Sequence, residues 1–343
     1  MHTLVKRNNM FEDKTILIDG GSGSWGNELT EQLMTRFPKK IIIFSRGELA
    51  QVNMSRRFSG TNIIEYVIGD IRDADAVDRL FSTKNIDYVF HLAALKHVPV
   101  CENQPQEAIK TNINGTINLI NSAIKYKVKK FIDVSTDKAV SPTNLYGMTK
   151  SVGERLTIQA NNLTNDTDFV CVRGGNVLGS NGSVVPYFID QIKKFNKVTI
   201  TDRRMTRYFL TLSEAIGLLF QAVENSVGGE TYVMNMPSFL ISDLASALVN
   251  HYGDENTKIE EIGIREGEKL HELLMSEHES PYTYCFNGNY FVILPSIKIN
   301  KDYSHIDKTT KVYFKEFSSE SNLKTYEYLE ELLTKGGFLN ETI

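Results

Sequence analysis

Cysteine is scarce in this chain: Cys101, Cys171 and Cys285 are its three thiols in 343 residues. An odd, widely spaced set suits neither a disulfide framework nor a CxxC metal site, and it fits a reducing compartment. A surplus of positive charge is missing too, since 38 Lys and Arg stand against 42 Asp and Glu for a formal net charge of -4. That balance supplies no basic field of the kind that holds nucleic acid, although a local patch can still bind a small anion. No apolar run approaches the roughly 20 residues of a membrane span, and the opening MHTLVKRNNMFEDK lacks a long apolar stretch of the secretory kind. Internal repeats and low-complexity segments are absent as well. The expectation is a soluble cytoplasmic protein with no metal site and no nucleic-acid or membrane partner.

What the chain does have is an ordinary globular composition, 41% hydrophobic and 23% charged. It is long enough for one large single-site enzyme or two intimate domains. Short β-branched runs at 14–19, 40–45, 62–70, 86–94, 129–136 and 168–174 alternate with helix-like stretches such as NELTEQLMTRF and EAIKTNINGTINLINSAIKYK. Right-handed crossovers at this spacing lay helices on both faces of a parallel sheet, so the expected fold class is α/β, a doubly wound Rossmann-type sheet. Beyond about residue 175 the alternation fades, although ETYVMNM at 230–236 reads as a late strand. The expected division assigns 11–175, with a return segment at 209–236, to a dinucleotide-binding domain. It assigns 176–208 and 237–343 to a smaller, loop-rich substrate domain that ends in a helix.

Directly after the first predicted strand comes GGSGSWG, in which Gly20, Gly23 and Gly26 form a GxxGxxG arrangement leading into a helix. Glycines there let the backbone turn tightly and approach a pyrophosphate seated on the unpaired N–H groups of the helix end. The second strand closes on IIIFSRG, with Ser45 and Arg46 where an acid would hold the ribose hydroxyl of NAD. That pair suits a 2′-phosphate, so NADP is expected and NAD is the alternative. Asp70, after the third strand, is a candidate partner for the adenine amino group or a cap for the next helix.

The stretch FIDVSTDKAVSPTNLYGMTK holds the chemistry. Lys150 follows Tyr146 by one helical turn, so both side chains share a face. An ammonium beside a phenol, near a nicotinamide cation, lowers the phenol pKa and makes it a base for alcohol oxidation.

With these residues in view the chain resembles the extended short-chain dehydrogenase/reductase family. Within it the resemblance is to the UDP-N-acetylglucosamine 4,6-dehydratases, particularly the inverting kind of the pseudaminic acid pathway. The segments that carry it are GGSGSWG, IIIFSRGEL, GDIRD, AALKHVPVCENQP, KTNINGT, STDKAVSPTNLYGMTK, GSNGSVVPYF, ITDRRMTRYF and IGIREGEKLHELL. The resemblance implies that Asp137 and Lys138 are the acid and base of an elimination, with Thr136 beside them and with Tyr146 and Lys150 starting the oxidation. For Lys138 to act as a base its pKa should fall, as burial would favour. The resemblance also implies a tightly held NADP, regenerated in each turnover, touching Ser24, Trp25, Ile71, Ala93, Ala94 and Lys96 besides the residues above. A UDP-sugar would be held by Lys96, Asn176, Ser183, Val184, Pro186, Thr201, Met205, Arg207, Arg265 and Glu268. A homo-oligomer, dimer or hexamer, is implied as well.

The expected activity is therefore that of a lyase, an NADP-dependent hydro-lyase of a nucleotide sugar. The alternatives are a dehydratase that retains carbon 5, a nucleotide-sugar 4-epimerase, and an NADP-sensing regulator on the same fold. Three departures from the resemblance bear on the pocket. Asp19 stands where relatives usually carry threonine, and Gly174 and Asn181 stand where they tend to have tyrosine and arginine.

Overall fold

The computed structural model describes residues 9–180, 182–286, 288–306 and 310–339. Six strands, β1 Thr15–Asp19, β2 Lys40–Ser45, β3 Ile64–Ile68, β4 Tyr88–His91, β5 Lys130–Thr136 and β6 Asp168–Gly174, alternate with helices that include α1 Ser24–Met34, α2 Glu48–Arg57 and α3 Ala74–Lys84. They lie in the order β6-β5-β4-β1-β2-β3, all parallel. The doubly wound expectation holds. The late strand Thr231–Met234 pairs parallel to β6, as ETYVMNM suggested.

The sheet then continues. Tyr290–Ile293, Thr283–Phe286 and Thr310–Lys311 add to it antiparallel, making ten strands among the described residues. These three come from the segment that sequence reading gave to the substrate domain.

Period-two alternation explains why both faces are covered. In β1 and β2, Ile16, Ile18, Ile41 and Ile43 pack with Leu29 and Leu33 of α1 and with Leu218 and Leu219 of the helix Leu212–Asn225. Leu17, Ile42 and Phe44 point the other way, into Val77, Leu80 and Phe81 of α3 and Leu119 of the helix Gly115–Lys125. Each such buried side chain contributes roughly 1.5–3 kcal/mol, so neither face can be left to solvent. A separate core of Val185, Phe188, Ile192, Phe209, Phe239, Leu244 and Leu248, closed by Leu329, Leu332 and Leu333, builds the smaller lobe.

Candidate active site

The glycine loop sits where the chain leaves β1. Gly20 takes φ +62, and a Cβ there would lie 2.8 Å from the backbone of Ala93. A side chain at Gly26 would meet the Gly21 carbonyl oxygen at 2.1 Å. Both positions require glycine because the loop, the first turn of α1 and the segment after β4 share one space. Helix α1 has Gly23 as its N-cap with no side-chain cap hydrogen bond, so no side chain stands between its amino-terminal turn and an anion.

Asp19 does not leave a bare carboxylate beneath this loop. Its Oδ1 accepts from the Ala93 N–H at 2.9 Å and lies 2.8 Å from Nδ1 of His91, whose Nε2 is 2.9 Å from the Thr116 hydroxyl. Asp19 and His91 are both fully buried.

At the ends of β2 and β3, the Ser45 hydroxyl meets that of Ser22 at 2.9 Å and accepts from Gln51. Arg46 is half exposed, with a guanidinium nitrogen 3.7 Å from Asp70. Burial works against the Asp70 carboxylate, but Arg72, which donates to it at 2.8 Å, together with Arg46 holds it below the ordinary carboxylate range. Arg46 and Arg72 thus share the Asp70 carboxylate, and Arg72 also pairs with Glu107. Ile71 is buried in the core beside Leu119.

A cavity of about 660 Å³ opens between the glycine loop, the C-terminal ends of β4 and β5 and the smaller lobe. It gathers fifteen of the expected residues: Gly20, Gly23, Ser24, Trp25 and Gly26 on the first wall, Ala93, Ala94 and Lys96 on the second. Thr136, Lys138 and Tyr146 lie at its base, and Asn176, Ser183, Val184 and Glu268 on the far side. Burial pushes the Lys96 ammonium below the ordinary lysine range. The indole of Trp25 lies 3.6 Å from where a Cβ of Gly174 would stand, so it occupies the space a larger residue at 174 would need.

The base of the cavity follows from local sequence. Strand β5 ends at Thr136 and Asp137–Ala139 form one 3₁₀ turn. Asn144 then caps the helix Leu145–Ala160, accepting from the Gly147 N–H at 2.9 Å, which sets Tyr146 in the first turn. Asp137, fully buried, accepts from the Thr136 hydroxyl at 2.8 Å and from Lys138 Nζ at 3.1 Å; its Oδ2 finds no protein partner. Lys138 Nζ is also 3.5 Å from the Asn176 side-chain oxygen.

Two expected pKa directions are reversed. Burial raises the Tyr146 phenol, and Lys150 and Lys138 do not outweigh it. Burial opposes the Lys138 ammonium, but Asp137 and Glu272 prevail and hold it above the ordinary lysine range. Lys150 itself is buried and spends its ammonium on Asp133 at 2.9 Å.

Other expected residues lie outside the cavity lining. Arg207 is buried and donates to the carbonyls of Thr206 at 2.7 Å, Lys269 at 2.9 Å and Leu270 at 3.2 Å. Thr201 and Met205 are buried neighbours joined at 3.2 Å. Pro186 is half buried in the helix Val184–Phe195 and Arg265 is exposed. Asn181 falls outside the described residues.

Sequence reasoning missed His97 and Ser135 in the lining, and it missed Asn112 and Glu272. Asn112 stands in a single π turn, Lys110–Asn114, within KTNINGT. Its amide accepts from the Leu95 N–H at 2.8 Å, donates to the Leu95 carbonyl at 2.9 Å and donates to the Thr149 hydroxyl at 2.9 Å. The wall before Lys96 is thereby tied to the helix of Tyr146. The π turn, frequent at functional sites, is not visible as a composition signal.

Residues 16–294 match the family described as polysaccharide biosynthesis protein. The chain belongs to that polysaccharide biosynthesis protein family. Among the members similar to it is the UDP-N-acetylglucosamine 4,6-dehydratase (inverting) of Campylobacter jejuni subsp. jejuni serotype O:23/36 (strain 81-176), 45% identical over 84% of this chain and 85% of that one. A UDP-glucose 4-epimerase of Rickettsia canadensis (strain McKiel) is 36% identical over 97% of this chain and 99% of that one. The solved structure of Pen from Bacillus thuringiensis superposes with a TM-score of 0.90 at 39% identity, covering 96% of this chain and all of that one. A dTDP-glucose 4,6-dehydratase, DesIV from Streptomyces venezuelae with NAD and TYD bound, shares the fold at 21% identity, with a TM-score of 0.68 over 75% of this chain and 86% of that one. Among the described residues no helix is long and apolar enough to cross a membrane.

Proposed function

We propose that this protein is an NADP-dependent UDP-N-acetylglucosamine 4,6-dehydratase that inverts carbon 5. The observation that carries the reading is the Asp137–Lys138 pair, whose Oδ1 and Nζ stand 3.1 Å apart, with Lys138 in the same cavity lining as Tyr146. An epimerase has no need of such a pair, whereas loss of water needs an acid and a base together.

The glycine loop and the uncapped start of α1 fit a pyrophosphate, and the half-exposed guanidinium of Arg46, next to Ser45, favours a 2′-phosphate. A nicotinamide held there would supply the hydride chemistry, oxidation at carbon 4 and reduction at carbon 6 of the sugar. Tyr146, once its phenol has released its own proton, which the ammonium groups of Lys150 and Lys138 favour against burial, would accept the proton of the carbon 4 hydroxyl. The resting pair is an ammonium and a carboxylate, the wrong protonation states for elimination, but one proton moved along their hydrogen bond corrects both. Lys138, then neutral, takes the carbon 5 proton made acidic by the ketone at carbon 4. Asp137, then protonated, gives its proton to the carbon 6 hydroxyl, which leaves as water; once carbon 6 has received the hydride, a solvent-exchanged proton delivered to the opposite face of carbon 5 completes the inverted 4-keto-6-deoxy sugar.

The smaller lobe, reached through Asn176, Ser183, Val184 and Glu268, would hold the nucleotide. The relatives described as UDP-glucose 4-epimerases favour a second reading, interconversion at carbon 4 with no change in mass.

Incubation of the NADP-loaded protein with UDP-N-acetylglucosamine in deuterated water, followed by NMR and mass spectrometry, tests both. The expected product is lighter by one water and carries deuterium and inverted configuration at carbon 5. Lys138→Ala and Asp137→Asn should each abolish water loss while NADP still binds. Unchanged product mass in the wild type would turn the reading to the epimerase.

A further inference from the structure

Behind the Asp137–Lys138 pair lies a carboxylate with no assigned role. Glu272, immediately before the strand Leu273–Met275, is 3% exposed. Its Oε1 stands 3.4 Å from Lys138 Nζ and 3.6 Å from Arg207 Nε, and its Oε2 is buried without a protein partner. The backbone at this position is fixed independently of the side chain: the Glu272 N–H donates to the Ser319 hydroxyl at 2.9 Å, and the Ser319 N–H donates to the Glu272 carbonyl at 2.8 Å. Ser319 in turn meets the Thr206 hydroxyl at 2.6 Å, one residue from Arg207. An acid held this firmly beside a buried ammonium is costly to bury unless its charge is used.

We propose that Glu272 is a positioning residue for the elimination, holding Lys138 Nζ in place beside Asp137 and joining it to Arg207. The proposal rests on the dehydratase reading above. The charged and titratable groups facing Lys138 are Asp137 on its own turn, Tyr146 on the following helix, Arg207 on the strand Thr206–Leu210, and Lys269 and Glu272 on the segment entering Leu273–Met275. Three of these neighbours are cationic or neutral at neutral pH, so Glu272 is the one carboxylate besides Asp137 that balances them. Once Lys138 has passed its proton to Asp137 and then taken one from carbon 5, Glu272 stabilises the ammonium that forms. It thereby makes the amine a stronger base, while a smaller fraction is neutral at a given pH.

The test compares wild type, Glu272→Gln and Glu272→Asp, all loaded with NADP. Elimination is read as water loss and carbon 5 deuterium incorporation across a pH series. The amide in Glu272→Gln keeps size and removes charge, so the acid limb of the elimination profile, where the coupled Asp137–Lys138 pair takes up a second proton, should move to lower pH by about one unit or more. Its plateau should fall, and KM should change less than kcat. Glu272→Asp restores the charge and should return the limb toward wild type.

In parallel, the Nζ titration of Lys138 is followed by NMR in 15N-lysine-labelled protein, with the resonance assigned by its loss in Lys138→Ala. Glu272→Gln should lower that titration. An acid limb and a Lys138 titration both unmoved in Glu272→Gln overturn the proposal, as does a loss explained entirely by lower thermal stability in both variants. If the titration moves but no variant, wild type included, releases water, Glu272 does act on Lys138 while the dehydratase reading fails, and with it the assigned role in elimination.

Discussion

Replacing Asp19 by alanine should destabilise the protein and loosen the cofactor site together. The carboxylate is completely buried, and its Oδ1 is the shared acceptor for the Ala93 N–H and for His91 Nδ1. Alanine leaves the buried His91 donor and the partly buried Ala93 N–H without an acceptor, at roughly 1–3 kcal/mol each. Removing a carboxylate whose Oδ2 has no protein partner gives some of this back, so a net loss of about 2–4 kcal/mol is expected. At about 2.1 cal/mol/K per residue, a chain of 343 residues has an unfolding entropy that converts this loss into a fall in Tm of roughly 3–6 °C. Asp19→Asn keeps an acceptor for both donors and should lose less than half as much. Differential scanning calorimetry of the three proteins reads the stability, and titration with NADP reads the site, because Ala93 lies against Gly20 and in the cavity wall. If Asp19→Ala melts within a degree or so of wild type, or if Asn and Ala are equally damaging, the pairing described here is not what keeps Asp19 tolerable under the glycine loop.

Arg46→Ala should weaken NADP by about 10–150-fold, the equivalent of roughly 1.5–3 kcal/mol for a charge-assisted bond, and should leave NAD nearly unchanged; equal losses by calorimetry would make Arg46 only the exposed partner of Asp70. Trp25 is the single tryptophan and lies in the cavity wall over Gly174. Adding NADP to protein stripped of dinucleotide should therefore give a saturable change in tryptophan emission. Calorimetric binding without a spectral response would mean that the dinucleotide lies away from this loop.

The parallel half of the fold was legible because its signals are local. Alternating isoleucines in β1 and β2 report two buried faces, and a glycine triplet after a strand reports a close backbone approach. The antiparallel strands at 283–311 gave no such signal, since they are short and join the sheet from a region rich in turns. The candidate site divides the same way. Asp137, Lys138 and Tyr146 stand within ten residues and could be read together. Glu272 meets Lys138 only through the tertiary fold, across 134 positions of sequence, and no spacing rule reaches that far. The protonation directions failed because they depend on burial and on tertiary neighbours: burial raises the Tyr146 phenol beyond what Lys150 and Lys138 offset, and at Lys138 the carboxylates of Asp137 and of distant Glu272 outweigh burial.

Asn112 sets a condition on anyone who would transplant this site. One amide serves three partners on two elements, and of the side chains of its length only asparagine offers both an acceptor and two donors. Aspartate would lose both donations, and glutamine would carry the amide a methylene too far. Grafting the Asp137–Lys138 turn and Tyr146 onto another parallel sheet would therefore import the reacting groups without the strut that holds the wall opposite them. The smallest contiguous block that carries this strut with the reacting groups runs from the end of β4 through the widened turn at Lys110–Asn114 to the helix Leu145–Ala160, and a host would still have to supply the carboxylate of Glu272 to Lys138.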